Sequence, residues 1–134
     1  MTAELSCVDP AQVAQIWPYV SLMLERAMDR GGMGSFDAVE RDVLSNNAYL
    51  WLAVDAGKML ASAVTKVTQE KDHRLCTLIA CSGHDYERWG GLIEKLEKYA
   101  QAEGCKRIEI CGRPGWVKRL PSYRTVKVVL RKEL

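Results

Sequence analysis

Two spacings in this chain look like metal chemistry: His73-x-x-Cys76 and Cys81-x-x-His84. In a stretch rich in β-formers, positions 76 and 81 point to opposite faces, so the four groups cannot converge and no metal is expected. Cys81 and Cys111 are the nucleophile candidates, but no His–acid pair stands near either in sequence, and buried thiols are the default. His84 and Asp85 place an imidazole and a carboxylate side by side, two groups that can accept a proton. Each also has a plain reading, Asp85 as a helix N-cap and His84 as a loop residue. The last grouping is Arg113, Trp116, Lys118, Arg119, Tyr123 and Arg124, in which basic and aromatic residues interleave. That pattern suits a nucleic-acid strand, a phosphorylated ligand or a protein contact.

The charge distribution sharpens the last point. Through Gly104 there are 10 Lys and Arg against 15 Asp and Glu; from Cys105 onward there are 9 against 2. A basic final third points to an anionic partner, although Lys127, Arg131 and Lys132 would serve equally to solvate an edge strand. At 134 residues, 48% hydrophobic and 27% charged, the chain suits one globular domain over 1–134 and excludes disorder as a whole. No apolar run approaches the roughly 20 residues of a membrane span. The first residues lack the basic and apolar regions of a secretory signal. Five cysteines without a CxxC pair read as reduced thiols, which places the chain in the cytoplasm.

Periodicity supplies the elements that position these groups. A short strand over 4–8 is closed by Asp9-Pro10, which starts a helix carrying Val13, Ile16, Trp17, Val20, Leu24, Ala27 and Met28 at helical spacing. Pro18 is expected to kink or divide it. Ser35 caps a second helix whose buried face is Phe36, Val39, Val43 and Leu44. Strands follow over 49–54, 59–68 and 75–82, the first two joined by the turn Asp55-Ala56-Gly57-Lys58. After Gly83-His84-Asp85 comes a helix burying Leu92, Ile93, Leu96, Tyr99 and Ala100, with Glu94 and Lys98 paired outside and Gly104 at its end. A parallel strand over 108–111, a helical turn over 116–120 and a last strand over 123–130 complete the order β-α-α-β-β-β-α-β-α-β. The expected fold class is a mixed α/β layer, a mostly antiparallel central sheet flanked by helices.

That order, the strand over 75–82, the helix segment Leu92-Ile93-Glu94-Lys95-Leu96-Glu97-Lys98-Tyr99-Ala100 and the following Glu103-Gly104-Cys105-Lys106-Arg107-Ile108 resemble the GNAT family of CoA-dependent N-acyltransferases. The wording covers about residues 75–110, the topology nearly the whole chain. The resemblance implies acetyl-CoA as acyl donor and direct transfer to an amine of a small molecule or protein. It places the pantetheine and the thioester carbonyl against free backbone groups of Ile79, Ala80, Cys81 and Ser82. It also implies a [Gln/Arg]-x-x-Gly-x-[Gly/Ala] loop at the helix start, where amides cradle a diphosphate. Here that slot falls on His84-Asp85-Tyr86-Glu87-Arg88-Trp89, without glycines. One turn later, Arg88-Trp89-Gly90-Gly91-Leu92-Ile93 matches the Arg and the first Gly only. A remodelled loop of Gly83, His84, Arg88, Gly90 and Gly91 is the expected substitute. The glycines have a plain reading too, as sites of close helix packing. The resemblance implies a tyrosine near the last helix as acid for the leaving thiolate. Tyr123 is the candidate beside His84 and Asp85 as bases, with packing as its plain role. The basic cluster would then rim a CoA phosphate. The loop over 31–35 and the hairpin ends would select the acceptor.

Two other classes stay open. One is a catalytically inactive GNAT-like protein, a structural or accessory component, in a virion if the chain is phage-encoded. The other is a nucleic-acid-associated module built on the basic final third. The last strand would offer an edge for a homodimer.

Overall fold

The computed structural model describes residues 3–31 and 34–134. Its centre is a five-stranded sheet of β1 (Glu4–Cys7), β2 (Tyr49–Asp55), β3 (Lys58–Gln69), β4 (Arg74–Gly83) and β5 (Cys105–Ile110), in that spatial order. The first four strands pair antiparallel and β4 pairs with β5 in parallel. A parallel pair needs a crossover, supplied by α3 (Tyr86–Trp89), a 3₁₀ turn at Gly90–Leu92, and α4 (Ile93–Ala102).

Helices cover both faces. On one face, α1 (Val13–Gly31) and α2 (Phe36–Leu44) bury Val13, Trp17, Val20, Leu24, Met28, Val39 and Val43 against Leu50, Val64 and Ala80. On the other, Trp89 and Leu96 pack on Trp51, Ala53, Ala61, Ala63 and Leu78. Three alanines on that face leave room for two indole rings. Asp9 accepts from the Ala11 amide at 2.9 Å and Ser35 from the Asp37 amide at 3.1 Å, so these two side chains cap the starts of the first two helical stretches. A Trp17–Glu40 hydrogen bond of 2.7 Å and a stacked Trp17–Phe36 pair lock α1 to α2. Among the described residues no helix is long and apolar enough to cross a membrane.

The structure differs from expectation in four places. Of the two outcomes expected at Pro18, a kink or a division, the division does not occur: α1 runs unbroken through it. The apolar stripe continues on both sides of Pro18, and its burial outweighs the roughly 3 kcal/mol that an internal proline costs. Leu44, expected in the core, is exposed at the end of α2. The helix expected after Asp85 is broken into α3, the 3₁₀ turn and α4, so its first turn does not lead straight into the buried stretch. Finally, the strand expected over 123–130 carries no ladder. After α5 (Gly115–Arg119), residues 124–134 are exposed and unpaired, with Val128 75% and Leu130 90% accessible. Their β-favouring alternation has no partner strand, although the outer edge of β5 is open. Within the loop expected over 31–35, residues 32 and 33 lie outside the described residues.

The tail has a measurable consequence. Amides of residues 124–134 are expected to exchange hydrogen at near-peptide rates while those of β3 and β4 are protected. Protection of the tail in an exchange experiment would show instead that it pairs with a strand.

Candidate active site

The site begins with one extra residue. β3 and β4 pair Val64 with Ala80 but Thr65 with Leu78, so Ile79 forms a bulge in β4. A bulge bends its strand and sharpens the twist. At the same level β4 parts from β5: their last paired residues are Leu78 and Ile110, and the final contact is the Cys111 amide to the Leu78 carbonyl at 3.1 Å. Beyond it, residues 79–83 have a neighbour on the β3 side only.

The direction of the freed groups follows from strand geometry. The His84 amide bonds the Leu60 carbonyl at 3.1 Å, which fixes the phase of the antiparallel ladder. Backbone groups alternate along a strand, so Ser82 and Ala80 face β3, while the N–H groups of Cys81 and Gly83 face away from it, into the gap. Gly83 also lies hard against β3: a Cβ there would sit 2.7 Å from the Ala61 Cβ and 2.8 Å from the Leu60 oxygen.

The gap is a cleft of about 390 Å³ that passes through the sheet layer. Ile79, Ala80, Cys81, Ser82 and Gly83 form one wall, and Cys111, Gly112 and Arg113 the other. One mouth, on the α4 face, is flanked by Trp89, Trp116 and Arg119; the opposite mouth, on the α1 face, by Ala27, Met28 and Arg30. The charged lining groups among the described residues are three arginines, and no carboxylate or imidazole is among them. Burial pushes the Cys81 thiol up to about 12 and raises that of Cys111, so neither is an available thiolate near neutrality.

Of the predicted site residues, Ile79 to Gly83 line this cleft, as do Arg113, Trp116 and Arg119 of the basic cluster; His84, Asp85, Arg88, Gly90, Gly91 and Tyr123 stand outside its lining. His84 is exposed, and its carbonyl accepts the Trp89 indole N–H at 2.8 Å. Asp85 is exposed in a left-handed conformation (φ 56°) with no side-chain cap bond, so its plain reading as an N-cap is not realised. Arg88 donates to buried Asp55 at 2.7 Å, pinning α3 to the β2–β3 hairpin. Gly90 makes room for a ring: a Cβ there would meet Tyr86 at 2.5 Å. Gly91 faces open space.

The helix mouth is therefore filled from within. Trp89 is buried, Tyr86 stacks edge-on against Trp89 and Trp116, and Arg119 lies 4.3 Å over the Tyr86 ring. The amides of Arg88, Gly90 and Ile93 bond to carbonyls within the same turns. Diphosphate capture by the expected loop would need those amides free. Sequence reasoning did not find Asp55, Arg30 or the burial of Trp89; beside residues 79–83, the basic–aromatic interleaving of Arg113, Trp116 and Arg119 marked part of the site.

Tyr123 points elsewhere. Its hydroxyl donates to Glu97 on α4 at 2.6 Å. Burial and the bond to Glu97 raise its pKa well above the usual range, and burial with the nearby Glu103 does the same for Tyr99. In the unfolded chain both ionise near 10. The protonated phenols thus favour the folded state, and their contribution is complete below about pH 10 and lost as pH rises beyond it. Urea melts between pH 8 and 11 should show stability falling above about pH 10, with a smaller fall in Tyr123→Phe.

No family model matches the chain, and no curated protein does either. Solved structures do. An aminoglycoside acetyltransferase from an uncultured soil metagenomic sample aligns with TM-score 0.68 at 14% identity, over 100% of this chain and 98% of that one. A ribosomal-protein-alanine N-acetyltransferase from Brucella melitensis gives 0.64 at 12%, over 98% and 100%. A GNAT family acetyltransferase from Staphylococcus aureus gives 0.62 at 13%, over the full length of both chains. Likeness over whole chains at such low identity is a likeness of backbone. The fold of this protein is that of the GNAT-family acetyltransferases.

Proposed function

We propose that this chain is an acetyl-CoA-dependent N-acyltransferase that moves an acetyl group directly to an amine. One observation carries the reading: the two unpaired amides of Cys81 and Gly83 facing a cleft that passes through the sheet. Acetyl-CoA would supply an activated acyl group. The residues present suit it, since the cleft offers donors for a thioester oxygen and arginines for phosphates. Arg113 and Arg119, beside Trp116 at the α4-face mouth, take the place of the missing amide cradle.

In this reading the Cys81 N–H donates to the thioester oxygen as negative charge develops on it, and the Gly83 N–H, one pleat further along β4, donates to a pantetheine carbonyl. The narrow cleft aligns the amine, entering from the α1 face, with the carbonyl carbon. The C–N bond forms, the C–S bond breaks, the amine gives up one proton and the thiolate takes one. No lining carboxylate or imidazole handles these protons, so water carries them. A thiol with a pKa near 8.5 is a fair leaving group without a dedicated acid. His84 and Asp85 would act only through intervening water, and Tyr123 as a structural tie to α4.

Isothermal titration with acetyl-CoA tests the reading. Saturable heat at micromolar ligand, weakened by Arg113→Gln with Arg119→Gln, is the expected result; no heat at high micromolar concentration removes it. The filled helix mouth favours a second reading, an inactive GNAT-fold interaction or virion component, which predicts that blank titration together with co-purification with a particle or partner.

A further inference from the structure

We infer that the acceptor amine carries its own negative charge, a carboxylate or a phosphate, and that Arg30 binds it. The inference rests on the acyl-transfer reading and names the substrate class of the same cleft. Its basis is the separation of the two mouths. Arg113 and Arg119 stand with Trp116 on the stretch after β5, whereas Arg30 stands on the last turn of α1, beside Ala27 and Met28. A donor held at the first mouth leaves Arg30 beside the second, where the acceptor enters.

Arg30 is free for the task. Its Nε donates to the Arg26 carbonyl at 3.3 Å, which orients the side chain, and among the described residues neither Nη group has a partner. Among the described residues it is in no ion pair. The planar guanidinium fork matches a carboxylate or phosphate. A polycationic amine entering here would meet arginines and no lining counter-charge, whereas an amine with an anionic group would be drawn in and held. The same positive surroundings favour the neutral, nucleophilic form of the amine. Ala27 and Met28 leave an apolar flank for the rest of the molecule.

The test is thiol release from acetyl-CoA with four sets of amines: the common L-amino acids, O-phosphoethanolamine, the matching amino-acid amides, and spermidine. An amino acid or phosphoethanolamine should saturate, and which of them does so tells carboxylate from phosphate. The amides and spermidine should be at least about tenfold poorer in kcat/KM. Arg30→Gln should raise KM for the anionic amine roughly tenfold to a hundredfold without moving the acetyl-CoA affinity, and Arg30→Lys should restore part of the loss. Preference for amides or spermidine, or an unchanged KM in Arg30→Gln, overturns the inference. Direct calorimetry of the anionic amines on wild type and Arg30→Gln needs no turnover, so it decides the role of Arg30 even if acetyl-CoA gives no heat. Absence of any Arg30-dependent binding there also overturns it.

Discussion

Trp89→Ala should lower the unfolding free energy by about 3–5 kcal/mol, the range for deleting a large buried aromatic. Trp89 is 7% exposed and packs with Ala3, Ala53, Leu60 and Ala61, with ring centroids 5.0 Å from Tyr86 and 6.5 Å from Trp116. Its indole N–H also satisfies the His84 carbonyl, so one side chain ties the β4–α3 connection to the sheet. Few elements replace it, because α3 is a single turn and the three alanines beneath cannot expand to fill the space. Such a loss is a large fraction of a small domain's stability, so urea melts will register it clearly. Trp89→Phe, which keeps most of the ring, should lose less than half as much. A change under about 1 kcal/mol for the alanine variant would mean that the ring does not fill the helix mouth.

The second large effect is catalytic. Cys81→Pro should reduce acetyl transfer by about 10²–10³-fold, the loss seen when one donor to a developing oxyanion is removed. Proline is normally excluded from a central strand because it breaks a ladder bond. Here the Cys81 N–H faces the cleft, not β3, and β5 has already departed, so no ladder bond is lost. Circular dichroism should therefore remain native-like. Cys81→Ala keeps the amide and measures what the thiol alone contributes; the difference between the two variants belongs to the N–H. Equal rates in both would assign the effect elsewhere.

Much of the fold was legible because its signals are local. Asp9-Pro10 and Ser35 announce the first two helices, Ala56-Gly57 the hairpin, and the period of apolar residues separates strands from helices. The wall residues Ile79 to Ser82 came from the family resemblance, and Gly83, expected in the phosphate loop, joins them in lining the cleft. What was hidden depends on distance along the chain. Arg88 finds Asp55 33 residues away, and Tyr123 finds Glu97 26 residues away; neither pairing leaves a mark in local sequence. Arg30 enters the cleft only because α1 packs across β4. The tail shows the reverse failure, since residues 124–130 have strand-like composition but no partner in the ladder. Pro18 likewise follows its propensity less than the burial of the helix around it.

The crystal structure of the complex with acetyl-CoA tests the central claim most directly. The account predicts a thioester oxygen roughly 3 Å from the Cys81 amide and a pantetheine carbonyl roughly 3 Å from the Gly83 amide, with phosphates against Arg113 and Arg119. Phosphates seated instead on the amides of residues 86–91, or a β4–β5 cleft without ligand at saturating concentration, would contradict it.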